Sequence, residues 1–139
     1  MGYLIKPQTD QIVTAKVTLT SADLLTPGFI IDVPEYPAVK DYFWQVLSMN
    51  GLIVNGSTPY TSTSAIHIQA SIASIYQWRF GGTFMGQNTN SWGSGTPLSG
   101  TGNNTQFADN DKLQIHNPGT LLIGDNDLNI YITAILIEK

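Results

Sequence analysis

The chain reads as short runs of alternating apolar and polar residues, broken by clusters of Gly, Pro, Asn and Asp. From Ile12 to Thr20, Val13, Ala15, Val17 and Leu19 face one way and Thr14, Lys16, Thr18 and Thr20 the other, the period of two that marks a half-buried strand. Thr20-Ser21-Ala22-Asp23-Leu24-Leu25 follows, a capping residue with an acid and two leucines behind it. It predicts one helical turn, stopped at Thr26-Pro27-Gly28. Phe29 to Val33 predicts a short strand, closed by Pro34 and Pro37, which cannot donate to a ladder. Val39 to Met49 predicts a longer one, with Tyr42, Trp44 and Val46 on one face and Phe43, Leu47 and Met49 on the other, both faces covered. Asn50-Gly51 then predicts a hairpin, because a type I′ turn needs positive φ at both central residues, and Leu52 to Val54 predicts the returning strand.

Ala65 to Ala70 alternates again, with Ile66 and Ile68 opposite His67 and Gln69. Ser71 to Phe80 alternates with a slip near Ser74 that a bulge would absorb. Lys112 to His116 is a short strand and Leu121 to Ile123 a short apolar run. Leu128 to Ile137 is apolar on both faces at its end, as in a strand that lies centrally in a sheet or against a partner chain. Residues 81–106 break the pattern: they hold seven of the 13 glycines, no charge, and three isolated large side chains, Phe84, Met85 and Trp92. Unstructured stretches of this length in a compact domain are usually functional or disordered. The expected organisation is an N-terminal arm over residues 1–11 and one domain over 12–139. That domain is all-β, a single sandwich of about eight strands, a jelly roll being the form considered, with a short helical turn after the first strand.

Composition narrows the function. Charged residues make up 12% of the chain, half the usual share of about 25%. Six basic residues are scattered and the pI is near 4.7, so neither a basic stripe nor attraction to phosphate is present and nucleic-acid binding is not expected. The absence of Cys removes disulfides, thiolate metal sites and cysteine nucleophiles. No apolar run approaches the length of a membrane span, and Met1 to Pro7 has no long apolar core of a signal peptide.

Catalytic chemistry is poorly supplied. His67 reads as a half-exposed strand residue and His116 as a turn neighbour, and Ser94 in Trp92-Gly93-Ser94-Gly95-Thr96 lacks the spacing of a nucleophile elbow. Glycoside hydrolysis needs two carboxyl groups facing one bond, and the two glutamates, Glu35 and Glu138, stand between prolines and at the end of the chain. No enzymatic activity and no cofactor are expected. One metal pattern stands out: Asp109-Asn110-Asp111 recurs sixteen residues on as Asp125-Asn126-Asp127, making Asp109, Asp111, Asp125 and Asp127 candidate Ca²⁺ ligands. The same tripeptide is ordinary turn chemistry, and that reading is preferred. Among aromatics, Trp92 and Tyr60 are candidate stacking platforms of a sugar-binding surface, whereas Trp44 and Trp78 lie within strands and read as core.

The order LTSADLL (Leu19 to Leu25), a long aliphatic strand, STPY (Ser57 to Tyr60) and GDNDLNIYITAIL (Gly124 to Leu136) resembles a recurrent module of tailed-phage genomes. In that family an LTAAELL-like turn follows the first strand, a T-x-Y segment follows a hairpin, and a GGDG-like turn precedes the last strand. The resemblance covers most of residues 12–138. It implies a small β-sandwich of the virion: an accessory or decoration protein of the capsid, or a head-fibre or tail component, assembled in the host cytoplasm. Its partners would be the major capsid protein, other virion proteins and copies of itself, a trimer being the form suggested. The family lends no catalytic residue. On the sequence's own terms, a surface rich in Thr, Asn and Ser and a doubly apolar last strand suit a protein that buries surface in an assembly. Tyr3, Leu4, Ile5, Phe84 and Trp92 are the expected partner contacts. The alternative is a carbohydrate- or receptor-binding module that uses loop aromatics.

Overall fold

The computed structural model describes residues 11–61, 66–71, 76–98, 111–119 and 121–138. Two antiparallel sheets face each other. One has the order β1 (Ile12–Leu19), β9 (Asp127–Glu138), β3 (Tyr42–Val54), β6 (Trp92–Ser94). The other runs β2 (Ile30–Asp32), β8 (Leu113–His116), β4 (Ile66–Ala70), β5 (Tyr76–Phe80), β7 (Thr96–Pro97). With the two-residue β7 set aside, the pairings nest: β1 with β9, β2 with β8, β3 with β6, β4 with β5, alternating between the sheets. A ribbon of antiparallel pairs wound in this way is a jelly roll.

The alternation read from the sequence sets which side of each strand is buried. Ala15, Val17 and Leu19 of β1, Leu128, Ile130, Ile132, Ala134 and Leu136 of β9, and Ile66 and Ile68 of β4 point into the sandwich, with Leu113 and Ile115 of β8. The doubly apolar β9 lies between β1 and β3. Thr20 caps α1 (Ser21–Leu24) as expected: its hydroxyl accepts from Asp23 N–H while the Asp23 carboxylate accepts from Thr20 N–H. Tyr36, between β2 and β3, is fully buried, and its hydroxyl lies 2.9 Å from Val13 O and 3.1 Å from Ile132 O, fixing this connection to β1 and β9 of the four-stranded sheet. Burial pushes its phenol well above the usual range.

Three expectations are corrected. Asn50-Gly51 is no hairpin; β3 runs through it to Val54. The reason lies across the sandwich. Gly51 pairs with Gly93 of β6, and the Phe84 ring from α2 (Gly82–Met85) sits against both: a Cβ on Gly51 would be 2.9 Å from Phe84 Cε1, and one on Gly93 2.3 Å from Phe84 Cδ2. Gly51 is kept for close approach, not for a turn. Second, Met49 is in the core, not on the face of Phe43, because the ladder with β9 shifts between Val46 and Ser48 and the extra residue, Leu47, reverses the phase. Third, the stretch expected to be one loop from 81 is structured as far as residue 98: it forms α2, crosses to one sheet as β6 and returns to the other as β7. The expected slip near Ser74 falls outside the described residues, but the β4–β5 ladder shifts at Ile68/Gln69, where Gln77 is the extra residue.

Candidate functional site

The outer face of the four-stranded sheet is a regular grid. Strand register places Lys16, Tyr131, Asn50 and Ser94 in one row across β1, β9, β3 and β6, and Thr18, Asn129, Leu52 and Trp92 in the next. Beyond the first row come Thr14, Thr133 and Ser48, then Ile12, Ile135 and Gln45, then Ile137 and Phe43. Among the residues of these rows, Lys16 is the one that carries a charge.

The two ends of this face differ in chemistry. At one end Ile12 is 59% exposed and Leu47 is 43% exposed, with Phe43, Ile135 and Ile137 half-buried beside them. At the other, Trp92 is 64% exposed, its ring centroid 5.6 Å from that of Tyr131 at an interplanar angle of 34°. Lys16 Nζ lies 5.8 Å from the Tyr131 centroid, within cation–π range. Hydroxyls pair with amides between these rings: Thr18 Oγ1 donates to Asn129 Oδ1 at 2.8 Å, and Ser94 Oγ to Asn50 Oδ1 at 3.0 Å.

Of the expected contact residues, Trp92 is exposed on this face. Phe84 is not: its ring packs on Gly51, Gly93 and Phe80 inside the sandwich, with 4.9 Å between the two phenyl centroids. Tyr3, Leu4 and Ile5 lie outside the described residues. Tyr60 is no platform either. It is buried, its hydroxyl donates to Asn126 O, and burial raises its phenol to about 12. Trp44 and Trp78 pack in the core as expected. Leu122 and Ile123 form a second exposed apolar pair, held from below by Thr61, whose N–H and hydroxyl both donate to Leu122 O.

The two Asp-Asn-Asp segments do not meet. Asp127 opposes Val54 at the end of β3, whereas Asp111 precedes Leu113, which bonds Tyr36 near the start of β3. Asp109 lies outside the described residues. Asp125 Oδ1 accepts from the backbone N–H of Ser57 (2.8 Å) and Thr58 (2.7 Å), bonds that hold its carboxyl below the usual range. Asp127 accepts from Ser21 N–H and Asn55 Nδ2. These carboxylates close turns. Among the described residues no three His, Asp or Glu side chains converge on a metal position.

On the outer face of the five-stranded sheet, His67 stands opposite His116 across β4 and β8 and opposite Arg79 across β4 and β5. Burial, with the charges of His116 and Arg79 adding to it, pulls the His67 imidazole down to about 4. His116 Nδ1 lies 3.1 Å from Gln69 Oε1, and the chain continues through Gln114 to Asp32 and Lys112, whose carboxylate and ammonium are 2.7 Å apart. The sequence signal that would have found the partner of Trp92 is the phase of β9, which puts Tyr131 outward between Asn129 and Thr133. Nothing in the Gly-rich stretch shows that Trp92 would be paired beside them.

No protein-family profile, curated protein or solved structure matches this chain.

Proposed function

We propose that the protein is a non-enzymatic structural protein of a tailed-phage virion, an auxiliary or decoration protein bound to the capsid surface and to copies of itself. The observation that carries this reading is the apolar end of the four-stranded sheet's outer face, where Ile12 and Leu47 stand exposed beside Phe43, Ile135 and Ile137 with no charge among them. Contiguous apolar surface costs solvation free energy in a free monomer, and charge-depleted patches of this kind characterise the centres of protein interfaces. The fold supports the reading by analogy alone, since jelly rolls recur in viral capsid and lectin domains. The sequence resemblance described above points the same way.

Quantitative peptide mass spectrometry of gradient-purified particles of the phage that encodes the chain tests this. Tens to hundreds of copies relative to the major capsid protein are expected of a capsid accessory, a handful of a tail or vertex component. Absence from the particles overturns the reading.

A further inference from the structure

The assembly reading uses the apolar end of the sheet face and leaves the aromatic end unexplained. Trp92 sits on β6, a three-residue edge strand, the place where proteins usually put charges or proline to blunt an edge. Here the edge carries the largest side chain available, 64% exposed. Its backbone is held by pairing with Leu52, and its ring reaches diagonally over β3 to rest against Tyr131 on the central strand β9. Both rings stand on strands anchored in the sheet, so a ligand that stacks on them orders little that is not already ordered.

What surrounds the rings selects the ligand. Asn50 flanks the Trp92–Tyr131 diagonal on one side and Asn129 on the other. In each case a neighbouring hydroxyl, Ser94 or Thr18, donates to the carboxamide oxygen. That leaves amide N–H donors and hydroxyl lone pairs side by side, the complement of adjacent hydroxyls that both donate and accept. An aromatic base would offer a face for stacking too, but it comes with phosphates, and the chain carries a net charge of −4. A protein partner would favour further apolar anchors around the rings; among the described residues of these two rows only Leu52 is one. We propose that Trp92 and Tyr131 form a stacking shelf for a neutral pyranose, whose hydroxyls are taken by Asn50 and Asn129. This site stands or falls independently of whether the protein belongs to a virion.

The test is a titration of the full chain with neutral oligosaccharides built from glucose, galactose, mannose and N-acetylglucosamine, followed by the indole N–H signals of the three tryptophans. The Trp92 signal, assigned with W92F, should shift together with the carboxamides of Asn50 and Asn129 for at least one sugar, while those of Trp44 and Trp78 stay. W92A should weaken that sugar by roughly tenfold or more, the loss of about one stacking contact, and N50A/N129A should weaken it without altering the dispersion of the Trp44 and Trp78 signals. The proposal is overturned if no sugar of the panel shifts the Trp92 signal at millimolar concentration, if W92A binds as well as the parent, or if sedimentation shows a second copy of the chain covering Trp92.

Discussion

Gln77 completes the backbone of Val46, a residue in the opposite sheet. Its carboxamide oxygen accepts the Val46 N–H at 2.8 Å and its Nε2 donates to Trp44 O at 2.8 Å, the two bonds a neighbouring strand would make. β6 flanks β3 only at Asn50 to Leu52, so among the described residues the stretch around Val46 has no strand on that side. The bulge that makes Gln77 the extra residue of β5 turns its side chain inward, and Trp78 beside it donates its indole N–H to Val46 O at 3.1 Å.

Replacing Gln77 by Leu keeps volume and removes both bonds. Two buried backbone groups lose their partners, so the expected loss is about 2–4 kcal/mol in urea unfolding, against roughly 1 kcal/mol for an ordinary hydrogen bond. A loss no larger than that of a surface substitution would mean that water reaches Val46 and that the side chain does not stand in for a strand.

The Phe84 ring and the paired glycines beneath it should behave as one unit. An alanine at position 93 places its Cβ 2.3 Å from Phe84 Cδ2, so Gly93→Ala is expected to cost about 1–3 kcal/mol by overpacking. In the Phe84→Ala background that cost should largely vanish, which a double-mutant cycle measures as coupling. Equal costs in the two backgrounds would place the strain in the β6 backbone instead.

The His67 imidazole titrates near 4 in the folded chain and near its ordinary value of 6.5 when unfolded. Because the folded pKa is the lower, the unfolded chain takes up a proton first as pH falls. Stability should therefore be flat above about 6.5, decline between 6.5 and about 4, and gain no further slope from this residue below that. In His67→Gln the midpoint of thermal unfolding should fall less over this window than in the parent. Parallel curves for the two proteins would assign the pH dependence to other groups.

Most of the fold was legible because alternation survives wherever one face of a strand is buried: β1, β4, β8 and β9 all lie where the pattern of Val, Ile, Leu and Thr puts them. Failures came from residues whose local signal and tertiary role differ. Asn50-Gly51 carries the signal of a tight turn, but Gly51 answers to a ring 33 positions away along the chain, Phe84, rather than to its neighbours. Leu47 has no mark that identifies it as a bulge, yet it decides that Met49 is core. The stretch from residue 81 looked structureless because its strands are three and two residues long, too short for periodicity to show.

The candidate site was legible only in part. Trp92 drew attention as a large residue among Gly, Ser and Asn, but isolation in sequence did not separate it from Phe84, which turned inward. The separation depends on strand phase: Trp92 is in register with outward-facing Leu52, and Phe84 reaches the inward side of Gly51 and Gly93 from a helix. Asp125 and Asp127 read first as turn residues and second as ligands, and the backbone N–H groups of Ser57, Thr58 and Ser21 claim their oxygens.

The central claim, that the apolar end of the four-stranded sheet docks on the particle, is tested most directly by re-attachment. Purified protein would be mixed with particles assembled without it and its co-sedimentation measured for the parent and for the double variant Ile12→Lys, Leu47→Glu. Both positions are exposed, so the unfolding midpoint should move little, while attachment should be lost. W92A, altered at the other end of the face, should still attach. Undiminished co-sedimentation of the double variant would contradict the account.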